Sequence, residues 1–176
     1  MSKQTPIITP TFAWMLQRPH RILAFGFGSG LSPIAPGTFG SLVALPMFWW
    51  LHGYGLQTYL LVILVGFAVG VWVCEKTTQD LGVDDYGGIV WDEVVGQLIA
   101  SAPLLIWKPE YLELWLIASF VLFRIFDIWK PYPIRELDKN VHGGLGIMLD
   151  DELAGLFAAM ALTILLSVVT PGTVVV

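Results

Sequence analysis

The chain has 176 residues, of which 56% are hydrophobic and 13% charged, with a net charge of -5 and a mean hydropathy of +0.72. That composition excludes an ordinary soluble domain and predicts an integral membrane protein. The acidic balance, without a basic patch, excludes a nucleic-acid binder.

No linker, charge block or low-complexity tract divides the sequence, so 1–176 reads as a single membrane-embedded domain. The first residues carry only Lys3 before "TPIITPTFAWML", with no small-residue cleavage pattern, so no signal peptide is predicted. A glycine-rich stretch follows, "GFGSGLSPIAPGTFGS" (26–41). It is neither a dinucleotide fingerprint, because its spacing is G-x-G-x-G, nor a P-loop, because no Gly-Lys-Ser/Thr occurs. Ser29 and Thr38 can donate to an anion there, with Thr38 capping the next helix; a plain re-entrant turn accounts for the stretch equally well.

Five apolar segments come next in chain order, at about 38–52, 59–74, 94–107, 112–126 and 153–170. Most fall short of the roughly 20 residues of an upright spanning helix, so the expectation is an all-α polytopic bundle of about four to five apolar helices. Cys74 lies in the second segment and reads as packing, since one cysteine makes neither an internal disulfide nor a metal set. With five spans, Lys3, Arg18, Arg21, Lys76, Arg124, Lys130, Arg135 and Lys139 share one side and only Lys108 lies opposite, which makes that side cytoplasmic. Of the acids, only Glu110 and Glu113 lie opposite, so the active site is expected at the cytoplasmic face. Trp49, Trp50, Trp107 and Trp129, near segment ends, suit an interfacial belt.

The acids are not scattered. "DEVVGQLIA" (92–100) lies over "DELAGLFAA" (151–159), both reading D-E-x-x-G-x-apolar-x-A. Asp92 with Gly96, and Asp151 with Gly155, are i, i+4 pairs on one helical face, and the small residue lets a neighbouring helix approach. Carboxylates in a first turn can simply cap a helix. Asp92 and Glu93 on one helix, and Asp150, Asp151 and Glu152 on the other, exceed what capping needs, and a buried charge costs about 2.5–3.5 kcal/mol. A shared hard cation is the better account, magnesium or manganese rather than zinc, because all the donors are oxygens.

"FRIFDIWKPYPIRELDKNVHGGLG" (123–146) brings the opposite charge. Arg124 and Asp127 are three apart, with Lys130 three further on. They can hold a phosphate, or Arg124 and Asp127 can pair with each other while Lys130 snorkels to headgroups. His142, in "HGGLG", is a candidate general acid or phosphate donor, although a lone loop histidine is more often neither.

Taken in order, "GSGLSPIAPGTFGS", "DDYGGIVWDEVVG", "FRIFDIWKPYPIRELD" and "GGLGIMLDDELAG" resemble the phosphatidylglycerophosphatase A family, over about Arg21 to Ala159. The resemblance implies an all-helical, magnesium-dependent enzyme of the bacterial inner membrane. It would remove the terminal phosphate of its phospholipid substrate, phosphatidylglycerophosphate, to give phosphatidylglycerol. On the residues' own chemistry, Asp92, Glu93, Asp127, Asp150, Asp151 and Glu152 are the metal-ligand candidates. Asp92, Glu93, Asp127, Asp151 and Lys130 are the catalytic candidates, and Arg124, Lys130, Ser29, Thr38 and His142 the phosphate-binding ones. Attack by a metal-activated water ranks ahead of an aspartyl-phosphate, since no D-x-D-x-[TV] loop is present. A CDP-alcohol phosphotransferase lacks its D-G-x-x-A-R signature here. A small ion transporter, with facing acids at mid-membrane depth, and a non-catalytic lipid-binding protein are the rival readings. Oligomeric state is not encoded in any of these signals.

Overall fold

The computed structural model describes residues 8–170; Lys3, counted in the sidedness above, lies outside them. Among the described residues the chain is helical throughout, with no strand: α1 Phe12–Leu16, α2 Pro19–Ala24, a 3-10 stretch Gly26–Leu31, α3 Pro36–Leu51, α4 Leu56–Leu81, α5 Trp91–Ser101, α6 Pro103–Trp107, α7 Leu112–Trp129, α8 Ile134–Asn140 and α9 Gly143–Val169. All five apolar segments fall on helices, but among the described residues only α4 and α9 are long and apolar enough to cross a membrane. The expected four to five spanning helices therefore reduce to two on this criterion. α3 has 16 residues. α7 has 18 but carries Glu113, Arg124 and Asp127. The segment at 94–107 breaks into α5 and α6 at Pro103, which has no N–H to continue a helix.

α5 and α9 form the central pair, with α4, α3 and α7 packed around them. α5 runs antiparallel to α4: the Trp91 indole N–H donates to the Gly66 carbonyl at 2.9 Å, and the Tyr59 hydroxyl donates to the Leu98 carbonyl at 2.7 Å. α9 is antiparallel to α4 as well, because a Cβ on Gly144 would meet the Val71 carbonyl, and one on Gly70 would meet the Met148 thioether. α5 and α9 therefore run parallel, and the two D-E-x-x-G copies start from the same end.

The glycines of that repeat make the contact. A Cβ on Gly96 would lie 2.6 Å from the Asp151 carbonyl oxygen, and one on Gly155 would lie 2.4 Å from the Gly96 carbonyl oxygen. No side chain can be inserted without moving backbone, so the helices touch at the turn that carries the acids. Cys74 is buried with Sγ 4.0 Å from Met148 Sδ, a packing role as expected. Around this centre the outer surface is apolar. Leu60, Leu61, Leu64 and Val65 of α4, and Met160, Ile164, Leu165 and Val168 of α9, are exposed.

Candidate metal centre and phosphate cleft

α9 begins at Gly143, with His142 at its N-cap, and not at the acids. Asp150, Asp151 and Glu152 thus stand in its third turn, where no free backbone N–H remains to be capped. The acids do not sit at the mouth of the helix, as the apolar run from 153 suggests. Met148 meets Gly70, so the acids that follow it lie at the depth of the apolar part of α4. Asp92 and Glu93, by contrast, do occupy the first turn of α5.

Parallel packing brings the two groups together. One carboxylate oxygen from each of Asp92, Glu93 and Asp151 lies within 4.8 Å of the others. Asp92 and Asp151 are buried, Glu93 nearly so, and neither Asp92 Oδ1 nor Glu93 Oε2 has a hydrogen-bond partner. At such separations each like-charge pair costs about 3–4 kcal/mol with an effective dielectric near 20. A helix-dipole contribution of roughly 0.3–1 kcal/mol does not offset that. Capping thus fails for α9 by position and for α5 by magnitude. The donors are all hard oxygens with free lone pairs, an arrangement that fits a hard divalent cation. Gly37 of α3 supplies part of the cradle: a Cβ there would lie 2.1 Å from Glu93 Oε1.

These acids floor a cleft with room for water over about 180 Å³. Asp127, Lys130 and Asp150 form its wall, and exposed Asp84, Asp85 and His142, with Asp138, ring its mouth. Lys130 is its one lysine or arginine among the described residues. The Lys130 ammonium donates to Asp150 Oδ2 at 2.5 Å and to Asp138 Oδ1 at 3.0 Å. Burial would lower its pKa, but these two carboxylates outweigh burial and hold it above the ordinary lysine range, so the group stays charged.

The remaining candidates divide. Asp127 lines the cleft and its charge bears on both Asp151 and Glu93. Arg124 does not line it; its Nη1 pairs with Asp127 Oδ2 at 2.7 Å and donates to Ser41 Oγ at 3.3 Å. The mutual ion pair, rather than an open phosphate clamp, is what the chain adopts. Glu152 lies about 100° round the helix from Asp151, outside the cleft lining, with both carboxylate oxygens buried and unpartnered. His142 is exposed at the cleft mouth. Ser29 and Thr38 are not brought to the cleft. Ser29 turns back to donate to the Gly26 carbonyl at 2.9 Å, and the N-cap of α3 is Ala35, not Thr38. Sequence reasoning passed over Asp84, Asp85, Asp138 and Ser41. The first two were visible as the acids opening "DDYGGIVWDE"; the others gave no local signal.

The sequence was compared with known proteins. The family model described as Phosphatidylglycerophosphatase A matches residues 22–166. A "Phosphatidylglycerophosphatase A" of Escherichia coli (strain K12) is 51% identical over 145 residues, covering 82% of this chain and 81% of the relative. One of Haemophilus influenzae is 45% identical over 148 residues, covering 82% and 87%. A "Putative phosphatidylinositol-3-phosphatase" of Bacteroides thetaiotaomicron is 40% identical over 152 residues, covering 81% and 91%. No solved structure matches. The matched span contains every acid of the cleft floor and wall, both glycines of the α5–α9 contact and Lys130. On that ground the chain belongs to the phosphatidylglycerophosphatase A family.

Proposed function

We propose that this protein hydrolyses the terminal phosphate monoester of phosphatidylglycerophosphate, yielding phosphatidylglycerol and inorganic phosphate, with magnesium, at the cytoplasmic face of a bacterial inner membrane. The observation that carries the reading is the cleft. Three carboxylates gathered within 4.8 Å of one another floor it, one ammonium stands on its wall, and it is built on helices whose outer faces are apolar. A lipid phosphate needs such a site, polar within and reachable from the bilayer.

Asp92, Glu93 and Asp151 would hold the ion, which when bound neutralises phosphoryl oxygens and lowers the pKa of a water. The protein's own residues do the rest. Asp127 stands on the cleft wall, oriented by Arg124, where it can take the proton of a water attacking phosphorus in line with the glycerol oxygen. As that water's oxygen bonds to phosphorus, the bond to the glycerol oxygen breaks; the leaving oxygen takes a proton from solvent at the open cleft mouth, and Asp127 gives the proton it took back to solvent. Lys130 has three N–H bonds, two of them engaged by Asp138 and Asp150, so one remains for a phosphate oxygen. His142, which lines the mouth, would meet the headgroup as it enters.

The facing acids also lie deeper in the bundle than the sequence suggests, the feature on which an ion-transporter reading would draw. The family relationship and the exposed polar rim favour the phosphatase. The Bacteroides relative's name adds a second lipid phosphomonoester to test, phosphatidylinositol-3-phosphate. The experiment is phosphate release by the full chain in detergent from both lipids, with magnesium or with chelator. Release from phosphatidylglycerophosphate that stops on chelation supports the reading. A preference for the inositol lipid would replace the substrate, and radiolabelled phosphate trapped on an aspartate would replace the water mechanism.

A further inference from the structure

Among the acids that line the cleft, Asp150 differs from its neighbours. Asp92, Glu93 and Asp151 face one another with no cation between them, whereas Asp150, next in sequence to Asp151, has Lys130 Nζ at 2.5 Å. The same ammonium reaches Asp138 at 3.0 Å, so it bridges two carboxylates from two helices, α8 and α9. It comes from the end of a third, as the C-cap of α7, and its backbone is held at φ 44 in the left-handed region, where a residue with a side chain is strained. Pro131 follows and limits how that backbone can relax. The other Asp150 oxygen, Oδ1, is buried and has no partner.

Asp150 and Asp138 hold the ammonium in the same cleft as the acidic trio, much as carboxylates would hold a second divalent ion in a two-metal phosphatase. There, two ions about 3.5–4 Å apart are bridged by carboxylates and together clamp the phosphoryl group. Here the second positive charge is covalently attached to the chain. We propose that Lys130 is a tethered cation standing where a second metal would stand, so that the protein binds a single divalent ion, at Asp92, Glu93 and Asp151, and keeps Asp150 and Asp138 for the ammonium. The inference rests on the cation-site reading of Asp92, Glu93 and Asp151. A lysine in this place keeps one half of the clamp loaded at any metal concentration, and Lys130 itself lines the cleft that the phosphate enters.

The test is a count. Manganese, an octahedral, oxygen-preferring ion like magnesium, is titrated into the purified full chain in detergent, with free ion followed by its paramagnetic resonance signal. The wild type is expected to bind one manganese per chain. Lys130→Met, which keeps an unbranched side chain one atom shorter and without the charge, is expected to bind two, and Lys130→Arg one. Asp150→Asn is expected to keep the count of one, because Asp150 does not hold the ion. Two ions in the wild type would overturn the tethered-cation assignment and leave the metal centre standing. A count of one in Lys130→Met, with its helical circular dichroism and melting intact, would overturn it too. If Lys130→Met does not fold, loss of the bound ion in a folded Asp150→Asn would do the same. No binding at all in the wild type would remove the metal centre itself, and the inference with it.

Discussion

A single acid, Asp80, and a cluster of three sit on the helices of this protein and are treated in opposite ways. Asp80, near the end of α4, is met by Arg21 Nε at 2.8 Å, His20 Nε2 at 2.9 Å and Arg18 Nη1 at 4.0 Å. Arg21 is further fixed by donating to the Trp14 carbonyl at 3.0 Å, with its guanidinium over the Trp14 ring. Every charge there has a partner, and the result pins α1 and α2 to α4. The cluster of Asp92, Glu93 and Asp151 is more deeply buried and holds no basic partner at its centre. The difference teaches how to read a buried acid. Where the chain pairs the acid directly, the acid holds the fold; where it buries three acids together with no ion pair to any of them among the described residues, the group is suited to a ligand from outside.

The contrast can be broken most directly at Asp151. Asp151→Asn is expected to lower phosphate release from phosphatidylglycerophosphate by at least about a hundredfold, the scale of losing one electrostatic contact made in the transition state. It should leave the melting temperature in chelator unchanged or higher, because it relieves repulsion from Asp92, Glu93 and Asp127. A large drop in stability would show that Asp151 holds the fold instead. Gly37→Ala approaches the same centre from α3. Its Cβ would displace Glu93 Oε1, and manganese titration should show affinity weakened about tenfold or more, as when a metal site loses its supporting shell.

Smaller effects should run the other way. Arg21→Ala leaves Asp80 and the Trp14 carbonyl short of a buried donor, and denaturation is expected to show a loss of about 1.5–3 kcal/mol, the range for hydrogen bonds to charged groups. The rate per folded molecule should stay within about twofold of wild type. Saturating magnesium, at about a hundred times its dissociation constant, should stabilise the wild type by about 2.7 kcal/mol and Asp151→Asn by much less. Lys139→Ala, at an exposed pair with Glu136, should change stability by less than about 0.5 kcal/mol and activity not at all.

Much of this was legible in the sequence, and unevenly so. The D-E-x-x-G repeat carried the most information, because it held both halves of the site: the acids that bind, and Gly96 and Gly155, which let α5 and α9 touch. All five apolar runs became helices, since hydrophobicity and helix length are both local properties. The start of α9 was missed because "HGGLG" has low helix propensity. It is helical because Gly144 packs its backbone against Val71 and Glu75 of α4 and donates its N–H to the Glu75 carboxylate at 2.8 Å, contacts that only the fold creates. The partners of Arg124 were beyond reach for a related reason: Ser41 lies 83 residues away. Ser29 and Thr38 lie away from the cleft. The glycine-rich stretch looked like an anion cradle, but its glycines serve close packing, with Gly30 against the Gly88 carbonyl and Gly40 against Val90. Trp49, Trp50 and Trp129 are exposed at helix ends, whereas Trp107 is half-buried on the core.

The most direct test of the central claim is magnesium-dependent phosphate release from phosphatidylglycerophosphate by wild type and Asp151→Asn side by side. Both should be shown to be folded in the same detergent. The account predicts release by the wild type that chelator abolishes and magnesium restores, and little release by the variant at any magnesium concentration. Equal release by the two proteins, or release that persists in chelator, would contradict it.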